Sequence, residues 1–199
     1  MNKSGIQSQL AEQVRLLHHL QTDQDLSHKL ERAVGWLCQA VENHRPVLVC
    51  GNGGSAADAL HIAGELVSTF LQQRRALNVI CLNANVSVLT AWANDVDYDS
   101  VFARQVQAHG QPGGICWGIS TSGNSGNVVQ ALEAAQNLEM KTIALTGQGG
   151  GKLAAVADLL IDVPSRSTPR IQELHLPIYH YLCEQVEARI AALPIDDIN

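Results

Sequence analysis

Charge is scarce in this sequence. Only 16% of the 199 residues are Asp, Glu, Lys or Arg, against roughly 25% in an average soluble protein. A thin charge cover fits a deep α/β core, and equally a surface buried in an oligomer. Net charge is −6 and no Lys/Arg block occurs, which argues against nucleic acid or an anionic membrane as main partner. The first residues, MNKSGIQSQLAEQ, lack the apolar core of a signal peptide. No apolar run approaches the ~20 residues that span a bilayer. No CxxC occurs, and the five cysteines (Cys38, Cys50, Cys81, Cys116, Cys183) are scattered, mostly within apolar runs. They read as reduced, buried thiols, not as zinc ligands or disulfides, and the expected location is the cytoplasm.

What is present is an alternation of helical and strand patterns. Leu10, Val14, Leu17 and Leu20 form one helical stripe. Leu26, Leu30, Val34, Leu37 and Val41 form a second, with Asp25 or Ser27 as its start. Short apolar runs follow at 46–50, 77–82, 113–120, 141–146 and 159–163. Helical patterns lie between them at 55–73, 86–93, 99–109, 128–138 and 151–157, and a long helix runs from Pro169 to about Ala192. Apolar strands separated by helices indicate a parallel sheet covered on both faces. The expected fold is α/β, a doubly wound five-stranded parallel sheet. It forms one domain over residues 1–199, a helical arm (1–45) on a core (46–199). Such sheets bind ligands at the carboxyl ends of their strands. Three loops placed there are glycine-rich: GNGGS, STSGNSG and TGQGGG.

Gly51, Gly53 and Ala56 nearly satisfy the dinucleotide fingerprint, but the next strand ends in CLNANV without the acid that holds a ribose. GQGGGKL has neither Walker A spacing nor its Ser/Thr. The loop Ser120-Thr121-Ser122-Gly123-Asn124-Ser125 follows a strand and opens a helix. Four hydroxyls at a helix N-terminus suit a phosphate monoester, where one would suffice for capping.

In the helix after the first loop, His61 and Glu65 are i and i+4 and share a face. Ala57, Gly64 and Ser68 beside them are small. Leu60, Ala63, Val67 and Phe70 are expected to face the core. In the last helix Gln172 and His180 are eight residues apart with Pro177 between them, and His175 is a competing candidate on another face. Two His, one Glu and one Gln form a nitrogen/oxygen set that suits Zn²⁺ or a similar divalent ion. A surface hydrogen bond would equally explain the His61/Glu65 pair.

Taken together, CGNGGSAADALHIAGE, NDVDYDSVFARQV, GISTSGNSGNV, ALTGQGGGKL and TPRIQELH with a later His resemble the sugar isomerase (SIS, flavodoxin-like) family, and within it the phosphoheptose isomerase branch. The likeness spans nearly the whole chain. It implies a phosphate loop at Ser120, Thr121, Ser122 and Ser125, and a sugar site lined by Asn52, Gly53, Ser55, Asp95 and Gln172. It implies a zinc set of His61, Glu65, Gln172 and His180, with Glu65 and His180 as acid/base pair. It further implies a homotetramer with sites at subunit interfaces, and interconversion of sedoheptulose 7-phosphate and D-glycero-D-manno-heptose 7-phosphate for bacterial surface heptose, including lipopolysaccharide. A regulatory paralogue that binds a replication initiator lacks equivalents of Glu65 and His180, and both are present here. Sugar-phosphate sensors of this fold carry a DNA-binding domain, which residues 1–45 do not resemble. An isomerase of another sugar phosphate is the nearest alternative. Pro169, where some members have an acid, and FLQQRRALNV, without the usual proline, are departures.

Overall fold

The computed structural model describes residues 5–193. In chain order the elements are α1 (Ile6–Thr22), α2 (Gln24–Glu42), β1 (Val47–Gly51), α3 (Gly54–Val67), β2 (Val79–Cys81), α4 (Val86–Asp95), α5 (Val101–His109), β3 (Ile115–Ser120), α6 (Gly126–Gln136), β4 (Lys141–Thr146), α7 (Leu153–Val156), β5 (Leu159–Asp162) and α8 (Thr168–Ala191). The α2 start lies slightly before the expected one. Asp23 is the N-cap, and its carboxylate accepts from the Leu26 amide at 3.0 Å.

The five strands form one sheet in the order β2-β1-β3-β4-β5, and every pairing is parallel. Each strand alternates its side chains between two apolar layers. Val47, Val49, Trp117, Ile119, Ile143 and Leu145 pack under α2, α3 and α8. Leu48, Cys50, Cys116 and Ala144 pack under α5 and α6. Burial on both faces explains why the strands read as continuous apolar runs. All five cysteines are free and buried. The strand order reverses direction between β1 and β3, so the loops after these two strands diverge and leave a crevice at their carboxyl ends. GNGGS and STSGNSG are those loops.

Two expectations about helices need correction. The α3 face toward the sheet is Ser55, Ala59, Ile62 and Leu66, all buried. Leu60 and Val67 are 48% and 43% exposed, while Ala63 and Phe70 only pack against the edge of the core. The helix is apolar almost all round, which leaves its phase undetermined by periodicity. It also ends at Val67 rather than near Gln73, because residues 70–72 give their amides to a distant carboxylate, Glu187. On α1 Leu10, Val14 and Leu17 of the stripe are exposed, Leu20 packs against the core, and the buried residue is Leu16, outside the stripe. Among the described residues, no helix is long and apolar enough to cross a membrane.

Candidate active site

The crevice between the β1 and β3 loops holds a cavity of about 290 Å³. Asn52, Gly53, Gly54 and Ser55 line it from the first loop, and Ser120, Thr121 and Ser125 from the second. Thr168 and Gln172, from the start of α8, close a third side. No Lys or Arg is among the lining residues. An anion here meets hydroxyls and the amide ends of α3 and α6, where helix N-termini carry partial positive charge.

Local chemistry shapes the walls. Gly53 adopts φ +56° as the N-cap of α3, a conformation that glycine takes without steric cost. Ser125 precedes α6 but makes no capping bond. Its hydroxyl instead meets that of Ser120 at 2.9 Å, and the pair stays inside the crevice. Ser122 is outside the wall, its hydroxyl accepting from the Asn124 amide at 3.1 Å. The Asn52 amide is fixed by reciprocal bonds with buried Asn127 at 2.8 and 3.0 Å. The Tyr98 hydroxyl donates to Asn52 at 2.9 Å. Asp95, at the end of α4, is exposed, bonds to the Asn94 amide and is not part of the cavity wall. Sequence reasoning misses Asn127, Tyr98 and Thr168. Tyr98 lies within the NDVDYDSVFARQV stretch, Asn127 directly after the STSGNSG loop, and Thr168 directly before Pro169.

Farther along α3 and α8 lies a second cluster. His61, Glu65 and His180 each offer a ligand atom, and these atoms all fall within 4.8 Å of one another. His61 Nε2 is 2.9 Å from Glu65 Oε1. The rings of His61 and His180 stand perpendicular, 5.0 Å apart. Phe70 backs the His180 ring at 5.5 Å. Burial lowers the His180 pKa, the neighbouring His61 lowers it further, and Glu65 opposes both. These effects favour the neutral ring, the form that can act as a ligand. Its Nε2 is buried with no hydrogen-bond partner among the described residues, an expensive state for a polar atom. A divalent cation among two imidazoles and a carboxylate would satisfy it, so these residues fit zinc.

His175, the competing candidate, is elsewhere. It is fully buried and its Nε2 lies 3.2 Å from the Thr146 carbonyl oxygen. Burial depresses its pKa to about 4, so it serves the core. Asp58, one turn before His61, carries no distinct signal in the sequence. Burial pushes its carboxyl up to about 6, against the opposing effects of Tyr179 and His61.

Residues 10–147 match the SIS domain family. The phosphoheptose isomerase of Synechocystis is 49% identical over 85% of this chain and 88% of that protein. Among solved structures, the phosphoheptose isomerase of Neisseria gonorrhoeae has a TM-score of 0.86 at 39% identity, covering 92% of this chain and 97% of that one. That of Francisella tularensis has a TM-score of 0.88 at 35% identity, covering 92% and 96%. The order of loops, the switch-point crevice and these likenesses agree, and the chain belongs to the phosphoheptose isomerase family of SIS-domain proteins.

Proposed function

We infer that this protein is an aldose–ketose isomerase acting on sedoheptulose 7-phosphate and D-glycero-D-manno-heptose 7-phosphate. One observation carries the reading. A hydroxyl-lined cavity without cations and a His/Glu/His cluster are both mounted on α3 and α8. Ser55 and His61 are six residues apart on α3, roughly 9 Å along the helix axis at ~1.5 Å per residue. A sugar phosphate of several carbons spans such a distance, with its phosphate at one end and its carbonyl at the other.

Isomerisation moves a proton between neighbouring carbons and another between their oxygens, through an enediol. The site must supply a base for the C–H, a group that shuttles the oxygen protons, and charge stabilisation for the intermediate. Glu65 is assigned the carbon proton and His180 the oxygen protons. Ser120, Thr121 and Ser125 hold the phosphate. Asn52, fixed by Asn127 and Tyr98, and Ser55 and Gln172 orient the chain of hydroxyls. A zinc ion held by His61, Glu65 and His180 would polarise the substrate carbonyl as a Lewis acid; Gln172, expected from the sequence as a fourth ligand, instead lines the phosphate cavity with its side chain against Gly54.

The same reading includes a homotetramer in the cytoplasm, with the whole chain as a single domain. Exposed Ile6, Leu10 and Val14 on α1, and Leu60, Leu176 and Tyr181 on the helices bearing the cluster, form apolar surface that a second copy would cover. The direct test is conversion of sedoheptulose 7-phosphate by purified protein, before chelation, after it, and after zinc is restored. The expected result is an aldoheptose phosphate formed only with metal present. Undiminished conversion by the chelated protein would refute the metal assignment. No conversion under any condition, with the sugar phosphate still bound, would refute the enzyme.

A further inference from the structure

Zinc binding at the His/Glu/His cluster requires His61 to present Nε2, and the role inferred for its neighbours rests on that proposed zinc site. A neutral imidazole has one lone pair. If Nε2 gives it to a cation, the ring proton must sit on Nδ1 and needs an acceptor.

The acceptor is in place. His61 Nδ1 is 2.9 Å from the hydroxyl oxygen of Tyr179. The two rings meet edge to face at 5.4 Å and 74°. Tyr179 is 1% exposed and directly precedes His180 on α8, so it joins the two helices that carry the cluster. Its hydroxyl in turn needs an acceptor once it has received the Nδ1 proton bond. The Asp58 carboxyl neighbours it, and Asp58 Oδ2 is buried with no hydrogen-bond partner among the described residues.

We propose that Tyr179 is the positioning residue of the metal cluster. It accepts the Nδ1–H of His61, donates its own hydroxyl to Asp58, and so fixes the tautomer that leaves Nε2 free. The hydroxyl can also turn the other way. With Nε2–H donated to Glu65 at 2.9 Å, the Tyr179 O–H donates to Nδ1. One rotating hydroxyl therefore serves both the metal-free and the metal-loaded ring. A phenylalanine would serve neither, although it would fill the same space.

The test is zinc affinity, measured by competition with a chelator, for the wild type, Tyr179→Phe and His180→Gln. Loss of an outer partner of a metal-bound histidine typically weakens metal affinity roughly 10- to 100-fold. That loss is expected for Tyr179→Phe, with the far-ultraviolet circular dichroism of the metal-free protein unchanged. A second readout uses ¹⁵N-histidine-labelled wild-type protein loaded with zinc. The Nδ1 proton of His61 should be visible and protected from exchange. Wild-type zinc binding that Tyr179→Phe matches within about twofold would overturn the role of Tyr179 alone. A wild type without any zinc site sensitive to His180→Gln would overturn the metal reading and the role of Tyr179 with it. If Tyr179→Phe does not fold, an unprotected Nδ1 proton in the wild type is the contradicting result.

Discussion

Arg74 and Glu187 form an ion pair at 3.4 Å with both side chains 1% exposed. It joins the loop after α3 to the last part of α8. Arg74 also donates to the carbonyls of Glu65, at 2.7 Å, and Ser68. Glu187 accepts from the amides of Phe70, Leu71 and Gln72. Burial alone would raise the Glu187 pKa, but these amides and Arg74 together bring it below its ordinary value. Breaking a buried pair by removing one partner costs about 3–5 kcal/mol. Glu187→Gln is expected to lose that much stability in denaturant unfolding. Glu187→Gln combined with Arg74→Met should lose less than the two single losses added together.

Gly54 faces the Gln172 side chain. A Cβ on Gly54 would sit 2.8 Å from Gln172 Cδ and closer still to Nε2. Only the end of a flexible side chain has to move, so Gly54→Ala should fold normally. Gln172 would leave its place on the cavity wall. A misplacement of about 1 Å costs catalysis up to about 100-fold. The expected outcome is kcat/KM at least about tenfold lower, with an unchanged thermal midpoint.

The proposed phosphate cavity is lined by neutral donors. A hydrogen bond to a charged group contributes about 1.5–3 kcal/mol. Ser125→Ala is therefore expected to raise KM by roughly 10- to 100-fold with kcat little changed, the signature of lost uniform binding. Steady-state kinetics check this, and a fall in kcat at constant KM would place Ser125 in the chemistry instead.

His175 sets a pH dependence. Its pKa is about 4 in the folded chain against 6.5 for the free group. A depressed base contributes stability that is complete above pH 6.5 and is lost as pH falls toward 4. The gap corresponds to about 3 kcal/mol. His175→Gln keeps a donor for the Thr146 carbonyl and removes the titration. Its stability should fall less steeply than that of the wild type between pH 6.5 and 4, as followed by urea midpoints. Parallel curves would contradict this assignment.

The sheet is legible in the sequence because each strand is an apolar run bounded by glycine, proline or polar residues, and two of the three glycine-rich loops, GNGGS and STSGNSG, fall where the strand order turns. His61 and Glu65 are legible as a pair because α-helical spacing alone sets i and i+4 on one face. Features that depend on partners far along the chain are not legible. The early end of α3 is imposed by Glu187, more than 100 residues away. Tyr179 and Asp58 read as ordinary helix residues until packing sets them around His61. Gly54 reads as one more loop glycine, and only the fold brings Gln172 against it.

Hydrogen at carbon offers the most direct test of the proposed chemistry. Sedoheptulose 7-phosphate is converted in D₂O by the zinc-loaded wild type, Glu65→Gln and His180→Gln. Proton transfer through Glu65 and His180 predicts deuterium at C2 of the aldose made by the wild type. It predicts neither conversion nor exchange by either variant, with both variants folded. Conversion by the wild type without deuterium in product or recovered substrate, or near-normal turnover by either variant, would contradict proton transfer at these two residues.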